Sequence, residues 1–171
     1  MQTKAIQPRI IAIDIRASRL GYAVFEGPEH LIDWGTSAFQ FGCSSGTSTV
    51  HQRIVTVLRV FVPSAIVVKK GLRENSARAD QVLRLIRREA AARSIPVVLV
   101  DQREVKQAFH APHRIAKHVI ATAVAEKFPE LLWKLPGKFR IWQGEHHIMA
   151  VFDAIAAGYA YWQQGELGEP P

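Results

Sequence analysis

The sequence predicts an α/β domain built on a mixed five-stranded sheet, three antiparallel strands and then parallel ones, flanked by helices on both faces. Three observations carry this. The chain opens on three β-rich segments joined by short turns. Two later apolar runs, each preceded by a helical pattern, have the length and branching of buried strands. The remainder is helical and closes on a segment rich in alanine. A meander that runs into βαβ units gives a mixed sheet covered on both sides.

Residues 9–16, RIIAIDIR, form a dense β-branched run, and LGYAVFE (20–26) is a second strand after the turn Ala17-Ser18-Arg19. GPEH turns the chain into a third strand, LIDWGTSAF (31–39). From Thr47 onward, Val50, Ile54, Val57, Leu58 and Phe61 recur at helical spacing until Pro63. AIVVKK (65–70) is the first buried parallel strand. The helix over 78–93 turns Val82, Leu83, Leu85, Ile86 and Ala90 inward and Arg84, Arg87, Arg88 and Arg93 outward. IPVVLV (95–100) is the next buried strand. Helices are expected over 102–109 and 113–128, then a loop rich in Pro, Gly and aromatics over 129–144, then a last helix over 146–163. The whole, residues 1–171, reads as one domain, with 1–8 and 165–171 as flexible tails.

A chain of 171 residues with 48% hydrophobic and 22% charged residues has globular composition, which excludes a disordered chain. The formal net charge of +7 favours polyanionic partners, nucleic acid first among them. The single cysteine, Cys43, excludes an internal disulfide framework and a multi-cysteine zinc site. No apolar run approaches the roughly 20 residues that span a bilayer. MQTKAIQPR has no signal-peptide core. The expected location is the cytoplasm, with no membrane partner.

Two aspartates stand where aspartate is costly. On the first strand both alternating sets of side chains are apolar except for Asp14. A carboxylate buried on such a strand must be paired, hydrogen-bonded or metal-bound. Asp153 sits in MAVFDAIAAGYAYW, whose small residues Ala150, Ala154, Ala156, Ala157 and Gly158 let a helix lie close to a sheet. Two carboxylates brought together repel unless a cation lies between them. Mg²⁺ or Mn²⁺, which favour oxygen ligands, would serve a phosphodiesterase site.

These residues carry a resemblance. IIAIDIRASRLGYAVF resembles the opening hairpin of RuvC-type Holliday-junction resolvases. PSAIVVKKGLRENSARADQVLRLIRREAAARSIPVVLV resembles their fourth strand, helix and fifth strand. REVKQAFHAPHRIAKHVIATAVAEKFPEL is similar to the segment and basic helix that follow, and FDAIAAGYAY to the terminal Asp-Ala-Leu-Ala helix. The likeness runs in order over about residues 9–162. It implies an RNase H-like fold, Asp14 and Asp153 as two of four metal-binding acids, a branched or structured DNA partner, and a homodimer.

The departures from that pattern concern the metal. The resemblance implies a glutamate at the end of the fourth strand, where Lys69 and Lys70 stand. It implies Asp or His three residues before the last aspartate, where Ala150 stands, and Pro-Gly after the first, where Ile15 and Arg16 stand. An ammonium group at Lys69 close to both aspartates would neutralise them in place of a metal. Lys69 is therefore a candidate catalytic or charge-balancing residue beside Asp14 and Asp153. His146, seven residues before Asp153, shares its face on a continuous helix and is a candidate metal ligand or proton donor. Asp101, after the fifth strand, is expected to cap the following helix.

Arg103, Lys106, Arg114, Lys117, Lys127, Lys134, Lys138 and Arg140 outnumber Glu104, Glu126 and Glu130 across residues 103–140. Arg103, Lys106, Arg114, Lys117, Lys138 and Arg140 are candidate nucleic-acid contacts. WKLPGKFRIWQG interleaves Trp133, Phe139 and Trp142 with cations, which suits backbone neutralisation plus base stacking. Three functional readings follow. One is a RuvC-like nucleic-acid-binding protein whose nuclease activity is weak or lost. Another is an active Mg²⁺- or Mn²⁺-dependent endonuclease for branched DNA. The third is a YqgF-like RNA-processing relative, suggested by FDAIAAGY and by Asp101-Gln102-Arg103.

Overall fold

The computed structural model describes residues 7–38, 44–71, 77–112, 116–137 and 146–167. Strands β1 (Arg9–Ile15), β2 (Arg19–Glu26) and β3 (Leu31–Ala38) form the meander, and α1 (Ser44–Phe61) leads to β4 (Ala65–Lys69). Then α2 (Ala77–Ala91), β5 (Val97–Val100), α3 (Gln102–Ala108), α4 (Lys117–Lys127), a 3₁₀ segment (Pro129–Lys134) and α5 (Met149–Leu167) follow. The sheet order is β3-β2-β1-β4-β5. β1 runs antiparallel to β2 and parallel to β4, and β4 runs parallel to β5. This is the mixed five-stranded sheet that the sequence predicts.

The two-residue period of the strands divides the core. Ile10, Ala12, Ala23, Phe25, Ala65 and Val67 face Ile120 and Val124 of α4 and Phe152 and Ile155 of α5. Ile11, Ile13, Tyr22, Val24, Ile66 and Val68 face Ile54 and Leu58 of α1 and Val82 and Ile86 of α2. Glu89 joins the two helices of the second layer. It accepts from Arg93 and from His51 at 2.8 and 2.9 Å, and these bonds pull its carboxyl down to about 2.

Every residue of α5 from Met149 to Ala160 is buried, so this helix is apolar all round and lies inside the layer. Two glycines let it approach. A Cβ on Gly21 of β2 would stand 2.2 Å from the carbonyl oxygen of Ala150, and one on Gly158 would stand 2.3 Å from the ring of Phe25. The helix backbone therefore rests directly on the sheet at the level of Gly21.

Several boundaries differ from the sequence reading. α5 starts at Met149 rather than 146 and continues through Gly165 to Leu167, into the segment expected to be a tail. α1 starts at Ser44, three residues before Thr47. Pro129–Lys134, expected as loop, forms a 3₁₀ turn because Pro129 suits a first helical position and Leu131 anchors the turn in the core. β5 is an edge strand rather than a fully buried one, so Leu99 is 39% exposed. Residues 113–115, the expected start of α4, lie outside the described residues.

Substitution at Gly21 tests the close approach. Gly21→Ala places a methyl group into helix backbone, and denaturant unfolding should show a loss of about 3 kcal/mol. Gly165→Ala, where nothing lies within 4 Å, should instead leave stability unchanged or raise it by about 0.5–1 kcal/mol.

Candidate functional site

Asp14 is the next-to-last residue of β1, and its position explains its company. Its partners in register are Gly21 on β2 and Lys69, the last residue of β4. The side chain lies on the same face as Ala12 and Val67, under α5. Because Gly21 seats Ala150 on the sheet, Asp153 arrives over the same strand ends, one helical turn further along.

Four side chains meet there. The Lys69 ammonium lies 2.7 Å from Asp153 Oδ1. Arg16 Nε donates to Asp14 Oδ2 at 2.7 Å, and Arg16 Nη2 donates to Asp153 Oδ2 at 2.5 Å. One guanidinium thus spans both carboxylates, using its planar fork. Asp153 is engaged through both oxygens, each by a different cation. Two negative and two positive groups leave the cluster neutral.

Burial makes that balance necessary. Asp14, Lys69 and Asp153 are 6, 7 and 7% exposed, and are the buried charged residues among those described. Burial pushes the Asp14 carboxyl above its ordinary value, Lys69 pulls it down, Asp153 pushes it up again, and Arg16 pulls it down. Removing water from such charges costs several kcal/mol per ion, so each needs its partner.

The donor set does not fit a divalent metal. Mg²⁺ and Mn²⁺ want several oxygen ligands around one point. Here two carboxylates are present and both are bound by cations, with an ammonium group where the resemblance implies glutamate. Among the described residues, no group of three or more His, Cys, Asp and Glu side chains could hold a metal ion.

The structure thus brings together Asp14, Asp153 and Lys69, and among the described residues it forms no metal-holding group that includes His146. α5 begins three residues after His146, whose carbonyl accepts from the Met149 N–H at 2.9 Å in the turn that leads into the helix. His146 is exposed at that helix start. Its Nδ1 accepts from the Ile148 N–H at 3.4 Å, and its ring stacks on His147 at 4.3 Å. Asp101 is the N-cap of α3, completing a capping box with Glu104. Lys70 is exposed after the strand, whereas Lys69 turns inward.

In the sequence Arg16 stands out only as a departure from the resolvase pattern. A usable signal was present: an arginine two residues past a buried aspartate, on the turn that leaves the strand. Of the candidate nucleic-acid contacts, Arg103 and Lys117 are exposed, at the starts of α3 and α4, and Lys106 is half-buried. Arg114, Lys138 and Arg140 lie outside the described residues, as do Phe139 and Trp142. Trp133 is 78% exposed, with the Lys134 ammonium 4.7 Å from its ring centre.

The sheet order and the helices on both faces describe an RNase H-like fold. Comparison with solved structures bears out that fold. Thermus thermophilus RuvC in complex with a Holliday junction substrate superposes with a TM-score of 0.75 at 19% identity, covering 95% of this chain and 97% of that one. The Fowlpox virus resolvase, in complex with its substrate Holliday junction DNA, gives 0.56 at 14% identity, over 91% of this chain and 97% of that one. The yeast mitochondrial Holliday junction resolvase gives 0.52 at 14% identity, over 94% and 83%. No protein-family model and no curated protein matches the sequence.

A double-mutant cycle measures the central ion pair. Lys69→Met leaves Asp153 without its ammonium and should cost about 3 kcal/mol in denaturant unfolding at neutral pH. Lys69→Met/Asp153→Leu, in which Arg16 still balances Asp14, should recover most of it. The pH dependence follows in sign. Asp14 holds its proton more tightly folded than unfolded, so its contribution favours the fold below 3.8 and is lost as pH rises through the folded value. Lys69→Met removes the largest force lowering that value, so its deficit should shrink on acidification.

Proposed function

We propose that the protein binds branched DNA on a resolvase scaffold without hydrolysing it. The DNA half of this reading is supported by the fold, which it shares with two proteins solved on Holliday junctions, and by the net charge of +7. Arg103, Lys106 and Lys117 supply phosphate contacts, with Arg114, Lys138 and Arg140 as further ones. Two chains pair across the junction, as the resemblance implies.

One observation carries the non-hydrolytic half: Lys69 and Arg16 occupy the oxygens of Asp14 and Asp153. Hydrolysis of a phosphodiester on such a scaffold needs a metal that activates water and stabilises the developing charge. An ammonium group and a guanidinium group balance the carboxylates but lower no water pKa. A second reading, metal-dependent cleavage of branched DNA, is favoured by the pairing of the two aspartates itself. In it Asp14 and Asp153 would hold Mg²⁺ or Mn²⁺, which would activate water.

Labelled four-way junction, duplex, single-stranded DNA and RNA distinguish these. The protein should bind the junction more tightly than duplex, with an affinity that falls steeply with salt, and should cut nothing in Mg²⁺ or Mn²⁺. Cleavage that needs metal and disappears in Asp14→Asn would establish the second reading. Salt-insensitive or undetectable binding to every nucleic acid would refute both.

A further inference from the structure

We infer that the four-charge centre is itself a metal-independent contact for a DNA backbone phosphate, made through Arg16. This rests on the DNA-binding reading above and assigns the residue that does the binding at the centre.

The cluster stands at the C-terminal ends of β1 and β4, the edge where parallel α/β sheets place their ligands. Asp14 and Asp153 alone would present two negative charges to an approaching phosphodiester and repel it. With Lys69 and Arg16 the centre is neutral, and the phosphate can come close.

The two cations differ in depth. The Lys69 side chain is 6% exposed and turns inward onto Asp153. The Arg16 side chain is 20% exposed, the one member of the four that solvent reaches appreciably. Its guanidinium is held in place by bonds of 2.7 and 2.5 Å to the two carboxylates. An arginine fixed in this way loses little side-chain freedom on binding, and its partly exposed positive charge is held in place for a phosphate. The exposed Lys70, directly after Lys69 at the strand end, adds positive charge to the same edge.

A purely structural role would read differently. A guanidinium that only plugs the space between two acids matters for folding and not for DNA. The purpose of the cluster is also poorly explained by stability, because apolar residues of similar volume commonly serve a fold as well as a buried ion cluster.

The test is a fluorescence-anisotropy titration of labelled four-way junction with the full chain, in chelator and in Mg²⁺ at fixed ionic strength. Wild-type protein should bind equally in both. Arg16→Gln should lose about tenfold in affinity, the loss of one charge-assisted contact, and about one unit of the log-affinity against log-salt slope. Arg16→Lys should recover part of both.

Arg16→Gln/Asp14→Asn restores neutrality without the guanidinium. It should melt near the wild-type temperature yet bind as weakly as Arg16→Gln, which keeps the test valid if the single variant folds poorly. Wild-type affinity and slope in either Arg16→Gln variant would overturn this inference alone, as would wild-type binding that requires Mg²⁺. Absence of DNA binding by the wild-type protein would overturn the functional reading with it.

Discussion

Asp14 on β1 and Asp153 on α5 are held against one another by backbone contact between Gly21 and Ala150, and they can be ionised there because Lys69 and Arg16 lie between them. The contact and the charge balance need each other. A longer side chain at position 21 would lift the helix, and the carboxylates would reach water and require no partner. With the helix seated, each acid is cut off from solvent and a missing cation becomes a buried unpaired charge. The apolar layers on either face of the sheet set the depth at which this happens, since every α5 residue around Asp153 is buried.

The same geometry explains how four charged groups can meet inside an otherwise apolar layer. The ends of β1 and β4 and the face of α5 converge on one point. The positions decide that a charge cluster forms there. The residue types decide whether it is closed by a divalent ion or by protein cations. Here Lys69 reaches Asp153 from within its own sheet, and Arg16 folds back from the turn after β1. In the proposed reading, function rests on what this charge-balanced centre can hold rather than on what it can cleave.

Much of this was legible in the sequence because it rests on local chemistry. Dense β-branched runs and a two-residue period gave the five strands. The anomaly of aspartate in apolar surroundings singled out Asp14 and Asp153, and Lys69 stood out because the resemblance asks for an acid there. What the sequence concealed was set by long-range geometry. Arg16 and Asp153 are 137 positions apart, and only the folded turn after β1 aims the guanidinium across both carboxylates. The start of α5 at Met149 rather than 146 depends on the turn over residues 146–148, which no periodicity in the sequence announces. β5 read as buried because its composition is apolar, whereas its place at the sheet edge exposes Leu99.

The central claim is that protein cations, and not a divalent metal, neutralise Asp14 and Asp153. A Mn²⁺ titration followed by calorimetry and by electron paramagnetic resonance tests it directly, on the wild-type protein beside Arg16→Gly/Lys69→Glu. The account predicts no saturable Mn²⁺ binding and no thermal stabilisation in the wild-type protein, and the appearance of both in the double variant. Stoichiometric Mn²⁺ binding by the wild-type protein, lost in Asp14→Asn, would contradict it.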